Sequence, residues 1–232
     1  MGFEFKSYVL EKKEKETADI YTFIFKPKVG EVNNFLPGQF FLIKLNSSIK
    51  PNFKPYSAFL PYEPDKLGFG IKIQGQFSRA ILELKEGQEV SIAGPFGKFL
   101  FNKGEDAVFL AGGIGITPFF CMISSLLREN YQKKLYLFYS NKTLADVAYK
   151  SRLDELAAKN KTLKIIYVIT REQTNLEGFE TRRIDFEMIK KYVDQPFNTH
   201  YYICGSEEFL NGLKNLLEKN SITKEKISFE SW

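Results

Sequence analysis

The sequence is poor in the residues that most metal centres and hydrolytic sites need. Its 232 residues hold two cysteines, Cys121 and Cys204, far apart in the chain. Two thiols neither frame a disulfide scaffold nor bind an iron–sulfur cluster, which takes several thiolates. A single histidine, His200, argues against a His-based zinc centre and removes a Ser-His-Asp hydrolase from contention. No metal site is expected. Apolar runs are all too short for a membrane span, and the N-terminus lacks the apolar stretch of a secretion signal. These absences predict a soluble protein of a reducing compartment, hence cytoplasmic, with no membrane insertion. Charge of one sign is also scarce. Lys and Arg number 33 against 28 Asp and Glu, a net charge of +5, well short of the dense basic stripe of a nucleic-acid binder. The run Lys12, Lys13, Lys15 alternates with Glu11, Glu14 and Glu16 and reads as a solvated edge. The slight positive balance is compatible with an acidic protein partner.

Aromatic side chains are plentiful, at 16% of the chain with 23 Phe. Because the apolar fraction of 44% and the charged fraction of 26% are ordinary, the aromatics read as core packing rather than a stacking platform for bases. The length allows one or two domains with a sizeable core.

The two halves have different rhythms. Before residue 102, short β-type runs are separated by glycine turns: Tyr21–Phe25, Phe40–Leu45, Phe69–Ile73 and Glu89–Ala93. That pattern predicts a sandwich or barrel, interrupted by one helix over Ser78–Leu84. Beyond it, apolar runs alternate with helical spacing: Asp106–Ala111, Pro118–Glu129, Leu135–Tyr139, Ala145–Lys159, Leu163–Ile169, Asp185–Tyr192, His200–Cys204, Glu207–Lys219 and Ile227–Phe229. Alternating strands and helices predict a parallel sheet covered on both faces. The expected division is 1–102 and 103–232, a β domain followed by an α/β domain.

Glycines mark the candidate binding sites. Gly112-Gly113-Ile114-Gly115-Ile116-Thr117-Pro118 joins a buried strand to a helix, with Pro118 suited to a first helical position. Such a loop lets the backbone approach a ligand, and helix N-terminal amides favour phosphate. The spacing is not the usual G-x-G-x-x-G, and a tight turn without ligand is the plain alternative. Gly75-Gln76-Phe77-Ser78 opens the first helix, where Ser78 is a candidate cap. Lys54-Pro55-Tyr56-Ser57 groups a cation, a ring and a hydroxyl at a strand start, and Gly94-Pro95-Phe96-Gly97 is a turn after a strand.

In order, the chain carries Lys54-Pro55-Tyr56-Ser57, Gly75-Gln76-Phe77-Ser78, Gly94-Pro95-Phe96-Gly97, Gly112–Pro118, Tyr202-Ile203-Cys204-Gly205 and Glu230-Ser231-Trp232. Over essentially its whole length it resembles the ferredoxin–NADP reductase superfamily. The resemblance implies an antiparallel six-stranded β-barrel that binds FAD, followed by a Rossmann-like parallel-sheet NAD(P) domain. Tyr56 would stack on the flavin and Ser57 would hydrogen-bond near its N5. Lys54 stands where the family has Arg, keeping a charge but losing the bidentate fork. Gly75 and Ser78 match the motif that holds the FAD pyrophosphate, which favours FAD over FMN. Gly112, Gly113, Gly115, Thr117 and Pro118 would take the nicotinamide dinucleotide. Cys204 and Gly205 would lie beside the nicotinamide, although Ser206 replaces the usual Pro after them. Glu230 would position the nicotinamide and Trp232 would cover the flavin as a lid. Ser57, Cys204 and Glu230 are thus the expected catalytic residues.

For the dinucleotide, Ser140 and Lys142 end one strand without an acid, and Thr170-Arg171 resembles the plant-type Ser-Arg pair that grips a 2′-phosphate. NADPH is expected over NADH. The implied activity is hydride transfer from NADPH to FAD, followed by single electrons to a separate carrier, ferredoxin or flavodoxin. Two alternatives stay open: a flavoprotein subunit or sensor that does not turn over, and an NADH-dependent reductase component of an oxygenase or ferric reductase. A dehydrogenase of small organic substrates lacks a convincing acid–base pair, and His200 reads as structural.

Overall fold

The computed structural model describes residues 3–45 and 51–231. By contacts the chain divides into two compact units, residues 1–101 with 120–125, and residues 102–119 with 126–232.

The first unit contains β1 (Lys6–Lys15), β2 (Ile20–Pro27), β3 (Phe40–Lys44), β4 (Phe53–Ser57), β5 (Leu67–Lys72), α1 (Gln76–Glu83) and β6 (Glu89–Phe96). The strands form one antiparallel sheet in the order β4-β3-β6-β1-β2-β5. Ala58, just beyond β4, bridges to Phe69 of β5, and the Phe59 amide donates to the Gly68 carbonyl at 2.9 Å, so the sheet closes into a barrel. Its core is aromatic, with Phe23, Phe25, Phe41 and Phe69 all buried. The Phe25 and Phe41 rings each lie 6.1 Å from Phe69. Such pairs add about 0.5–1.5 kcal/mol each beyond the area they bury.

Two local expectations are corrected here. The first helix begins at Gln76 with Gly75 as its N-cap, so Ser78 is its third residue rather than its cap. From there a short side chain reaches back to the cap amides. The charged run at residues 11–16 largely belongs to strand β1. Tyr8 and Leu10 enter the core, a bulge follows Leu10, and Lys13 turns inward to the carbonyls of Leu82 and Leu84.

The second unit is built on β7 (Ala107–Gly112), the two ends of α2 (Ile116–Arg128, whose residues 120–125 count with the first unit), β8 (Leu135–Asn141), α3 (Lys150–Lys159), β9 (Leu163–Ile169), β10 (Phe179–Glu180), α4 (Phe186–Tyr192), β11 (His200–Gly205), α5 (Glu207–Lys219) and β12 (Ile227–Ser231). The sheet is parallel throughout, in the order β10-β9-β8-β7-β11-β12. Val108 and Leu110 of β7 pack with Met188 of α4 and Leu213 of α5. Phe109, on the opposite face, meets Phe119 of α2 at 5.1 Å. Helices therefore cover both faces, as alternating apolar strands require.

Here too the segment edges moved. Helix α2 starts at Ile116, which puts Pro118 at its third position, still inside the turn whose amides need no intrahelical acceptor. The expected helix from Ala145 is a short turn over Leu144–Asp146, a break, and then α3. Tyr149 causes the break: its φ of 61° is left-handed and cannot continue a helix. Among the described residues, no helix is long and apolar enough to cross a membrane.

Candidate functional site

In the first unit, β4 and α1 meet through two rings. Tyr56 stacks on Phe77 with centroids 6.5 Å apart. Lys54 lies two residues before Tyr56, on the same strand face, and is exposed, as is Pro55. Pro55 is tolerated because β4 ends the sheet order, where the missing amide is not needed. Tyr56 and Ser57 are half-buried, and burial holds the Tyr56 phenol far above its usual range. The ring is therefore neutral and offers a flat face.

At the start of α1, Ser78 is fully occupied. Its Oγ accepts from the amides of Gln74 (3.0 Å) and Gly75 (3.1 Å) and donates to the Gly75 carbonyl. The hydroxyl thus shapes the turn rather than awaiting a ligand. Phe77 is buried, whereas Gln76 is exposed. No acidic residue stands in the first turn. A cleft of about 420 Å³ opens there, lined by Gly75, Gln76, Arg79, Ala80 and Glu83. Arg79 escaped the sequence reading; its only signal was a cation one position after the serine of the glycine motif.

In the second unit, the candidates gather at the carboxyl edge of the sheet. Order reverses between β7 and β11, the switch point where α/β sheets place ligands. Gly112–Gly115 leaves β7 there. Gly113 has φ +53°, and a Cβ on Gly115 would lie 2.3 Å from the Cys204 carbonyl oxygen. The loop can therefore press on β11 only as glycine. Thr117 is buried and donates to the Ile114 carbonyl at 3.0 Å, and Pro118 is buried as well. These two hold the loop's shape, leaving the backbone of Gly112–Ile114 partly open.

Cys204 is buried, and in the parallel pairing of β11 with β12 it lies opposite Glu230. Burial, with the Glu230 charge adding to it, pushes the thiol far above its ordinary pKa. It stays protonated and is no nucleophile. Gly205 is buried beside it, and Ser206 caps α5 by accepting from the Phe209 amide at 3.4 Å. Trp232 lies outside the described residues.

The remaining candidates pair between β8 and β9. The Thr170 amide and Oγ1 both donate to the Asn141 carbonyl, at 3.0 and 3.2 Å, and the Arg171 amide donates to the Lys142 carbonyl at 2.9 Å. Ser140 and Thr170 are half-buried, while Lys142 and Arg171 are exposed, with no ion pair to a described residue. Arg182, by contrast, is bound by Asp185 and Glu180.

Two family models lie end to end on this chain. An oxidoreductase FAD-binding domain matches residues 7–101 and an oxidoreductase NAD-binding domain matches residues 109–215. The NADH-cytochrome b5 reductase 2-A of Vanderwaltozyma polyspora is 32% identical over 87% of this chain and 71% of its own length. The chain belongs to the ferredoxin–NADP reductase superfamily. A flavohemoprotein of Bacillus subtilis is 27% identical over 98% of the chain. The chain spans 58% and 59% of the length of two flavohemoproteins it matches. The FAD/NAD-binding domain of nitric oxide dioxygenase from Vibrio cholerae superposes with a TM-score of 0.90 at 18% identity, each chain covered to 98%. The ferredoxin NADP+ reductase of Neisseria gonorrhoeae does so at 0.84 and 21%, again over 98% of each chain. Both share the fold.

The residues present suit the superfamily's cofactors. A flavin nucleotide needs a flat ring surface and donors for its phosphates. Tyr56 supplies a neutral ring, and the first-turn amides of α1 have no intrahelical acceptor. Open ground surrounds Gly75, where an added Cβ would meet nothing within 4 Å. For a dinucleotide, the glycine loop and the positive end of α2 sit at the switch point.

Proposed function

We propose that the chain is an FAD-dependent NAD(P)H oxidoreductase: NADPH reduces the flavin, and single electrons then pass to a separate carrier of ferredoxin or flavodoxin type. Residues 1–102 form the FAD-binding part and residues 103–232 the dinucleotide-binding part. The observation that carries this reading is the gathering of Gly112–Gly115, Cys204 and Glu230 at one sheet edge, on a chain whose other unit matches an FAD-binding model. FAD, when bound, supplies a hydride acceptor that can release electrons one at a time. The chain's own residues bind and orient.

Tyr56 packs against the flavin ring and Ser57 hydrogen-bonds beside it. Lys54 and the first turn of α1 hold the pyrophosphate, with Ser78 fixing that turn. The Gly112–Gly115 backbone and α2 take the dinucleotide phosphates. Cys204 offers the nicotinamide a neutral, compact surface, and Glu230 fixes the ring's orientation. Lys142 and Arg171 stand exposed beside Thr170, with no ion pair to a described residue, which suits a 2′-phosphate. The two cysteines are free and buried, as suits a reducing compartment, and we place the protein in the cytoplasm.

The named relatives support a second reading. One is an NADH-cytochrome b5 reductase and another a flavohemoprotein. An NADH-dependent enzyme delivering electrons to a haem protein is accordingly the alternative.

One experiment separates these. The purified protein, loaded with FAD, is mixed with NADPH or NADH without oxygen, and the loss of the oxidised flavin band is followed. Rapid bleaching with a clear preference for NADPH is expected. Equal or better efficiency with NADH shifts the reading to the second one, and flavin that neither nucleotide bleaches removes turnover altogether.

A further inference from the structure

Lys54 leaves a deficit where the superfamily has a guanidinium. A lysine neutralises a diphosphate as a point charge but cannot grip two oxygens as a planar fork does. A guanidinium stands on α1, the helix that β4 meets through the stacked rings of Tyr56 and Phe77. Arg79 is the fourth residue of α1 and lines the cleft beside Gly75 and Gln76. In a helix the Cα–Cβ bond tilts toward the N-terminus, which directs the Arg79 side chain toward the first turn rather than away from it. It is exposed and forms no ion pair with any described residue, although Glu83 stands one turn on, at the spacing where such pairs form. With no acid in the first turn, the positive end of the helix and this guanidinium line one cleft, in which Glu83 stands a turn further on. The stacking of Tyr56 on Phe77 brings β4 against the same turn, so Lys54 and Arg79 stand on two elements that meet there.

We propose that Arg79 is the residue that grips the FAD pyrophosphate in this protein, taking over from α1 the fork that Lys54 cannot provide. The inference rests on the FAD reading above. It predicts that the two positions trade. With Arg79 removed, a guanidinium placed at residue 54 restores binding. Being exposed, Arg79 adds little to the fold itself.

The test is FAD affinity, read by quenching of flavin fluorescence on titrating the flavin-free full chain, with the melting temperature of each flavin-free variant measured alongside. Arg79→Gln should raise the FAD Kd at least about tenfold, the scale of a lost charge-assisted contact, with the melting temperature unchanged. Lys54→Arg in that background should recover at least about threefold of the loss. Arg79→Lys should fall between wild type and Arg79→Gln, and it keeps the test open should the Gln variant fold poorly. A Kd for Arg79→Gln within twofold of wild type overturns the proposal while leaving FAD binding intact. A loss that Lys54→Arg does not repair also overturns it, since the two cations would not then address one group. Wild-type protein that binds no FAD overturns the functional reading itself.

Discussion

Thr170 and Arg171 stand at the carboxyl end of β9, beside Lys142 from the end of β8, and no described acid forms an ion pair with Lys142 or Arg171. The next residue, Glu172, accepts the Leu144 amide at 2.8 Å through one carboxylate oxygen. A nucleotide-binding sheet that selects NADH uses an acid to accept the ribose hydroxyl, and that same acid repels a 2′-phosphate. Thr170→Asp would install one. Juxtaposed like charges cost several kcal/mol, so kcat/KM for NADPH should fall by about tenfold or more. The loss should lie mainly in KM, while the value for NADH should hold or rise. Steady-state kinetics with both nucleotides reads this directly. An unchanged ratio would show that the 2′-position lies elsewhere. Cys204 marks the limit of reasoning from residue type. The sequence groups it with the catalytic residues; in the fold it is a buried thiol that burial holds protonated.

Helix α1 shows how elements far apart in sequence complete one another. It has no basic residue in its last turn, yet that end is neutralised. Lys13 of β1 donates to the carbonyls of Leu82 and Leu84, at 2.8 and 2.9 Å. A cation at a helix carboxyl end satisfies orphan carbonyls and opposes the macrodipole. Lys13→Met keeps most of the stem and removes the charge. It should destabilise the first unit by about 1–2 kcal/mol and speed amide exchange in the last turn of α1, as urea unfolding and hydrogen exchange would show. No change in either would mean water serves those carbonyls equally well. Strand β1 was hidden because Glu and Lys crowd its second half, and its bulge after Leu10 breaks the alternation that identifies strands. Legible segments were those with a clean period and a capping residue. Helix α5 ran over Glu207–Lys219 as expected, behind Ser206, and β9 over Leu163–Ile169. The glycine loops were legible because close backbone approach admits little else, as Gly115 against Cys204 shows. Arg79 was not legible, because its meaning depends on a cleft and on a missing partner, neither of which has a sequence period.

Across the whole chain very little titrates near neutrality. There is one histidine, and of the two thiols Cys204 is held protonated by its surroundings. The side chain whose ordinary titration lies between the carboxylate range and pH 7 is His200. It sits at the start of β11, 6% exposed, with Nε2 2.9 Å from the Ser228 hydroxyl and Nδ1 3.6 Å from Glu105. Burial lowers its pKa below the usual value of 6.5, outweighing the opposing pull of Glu105, whose carboxylate is shared with Lys226 at 3.0 Å. The unfolded chain then binds a proton at about pH 6.5 while the folded chain stays neutral. Stability is complete above that pH and declines as the pH falls through 6.5 toward the depressed folded value. Melting temperatures between about pH 7.5 and 5.5 should fall with pH in the wild type. His200→Gln, which keeps a hydrogen-bonding group toward Ser228, should be less stable at the upper end and flatter across the range. If both proteins show the same slope, the protons enter elsewhere. The parting of the two curves would instead assign the acid limit of the parallel-sheet unit to one ring at the amino end of β11, on the edge of the sheet away from the glycine loop.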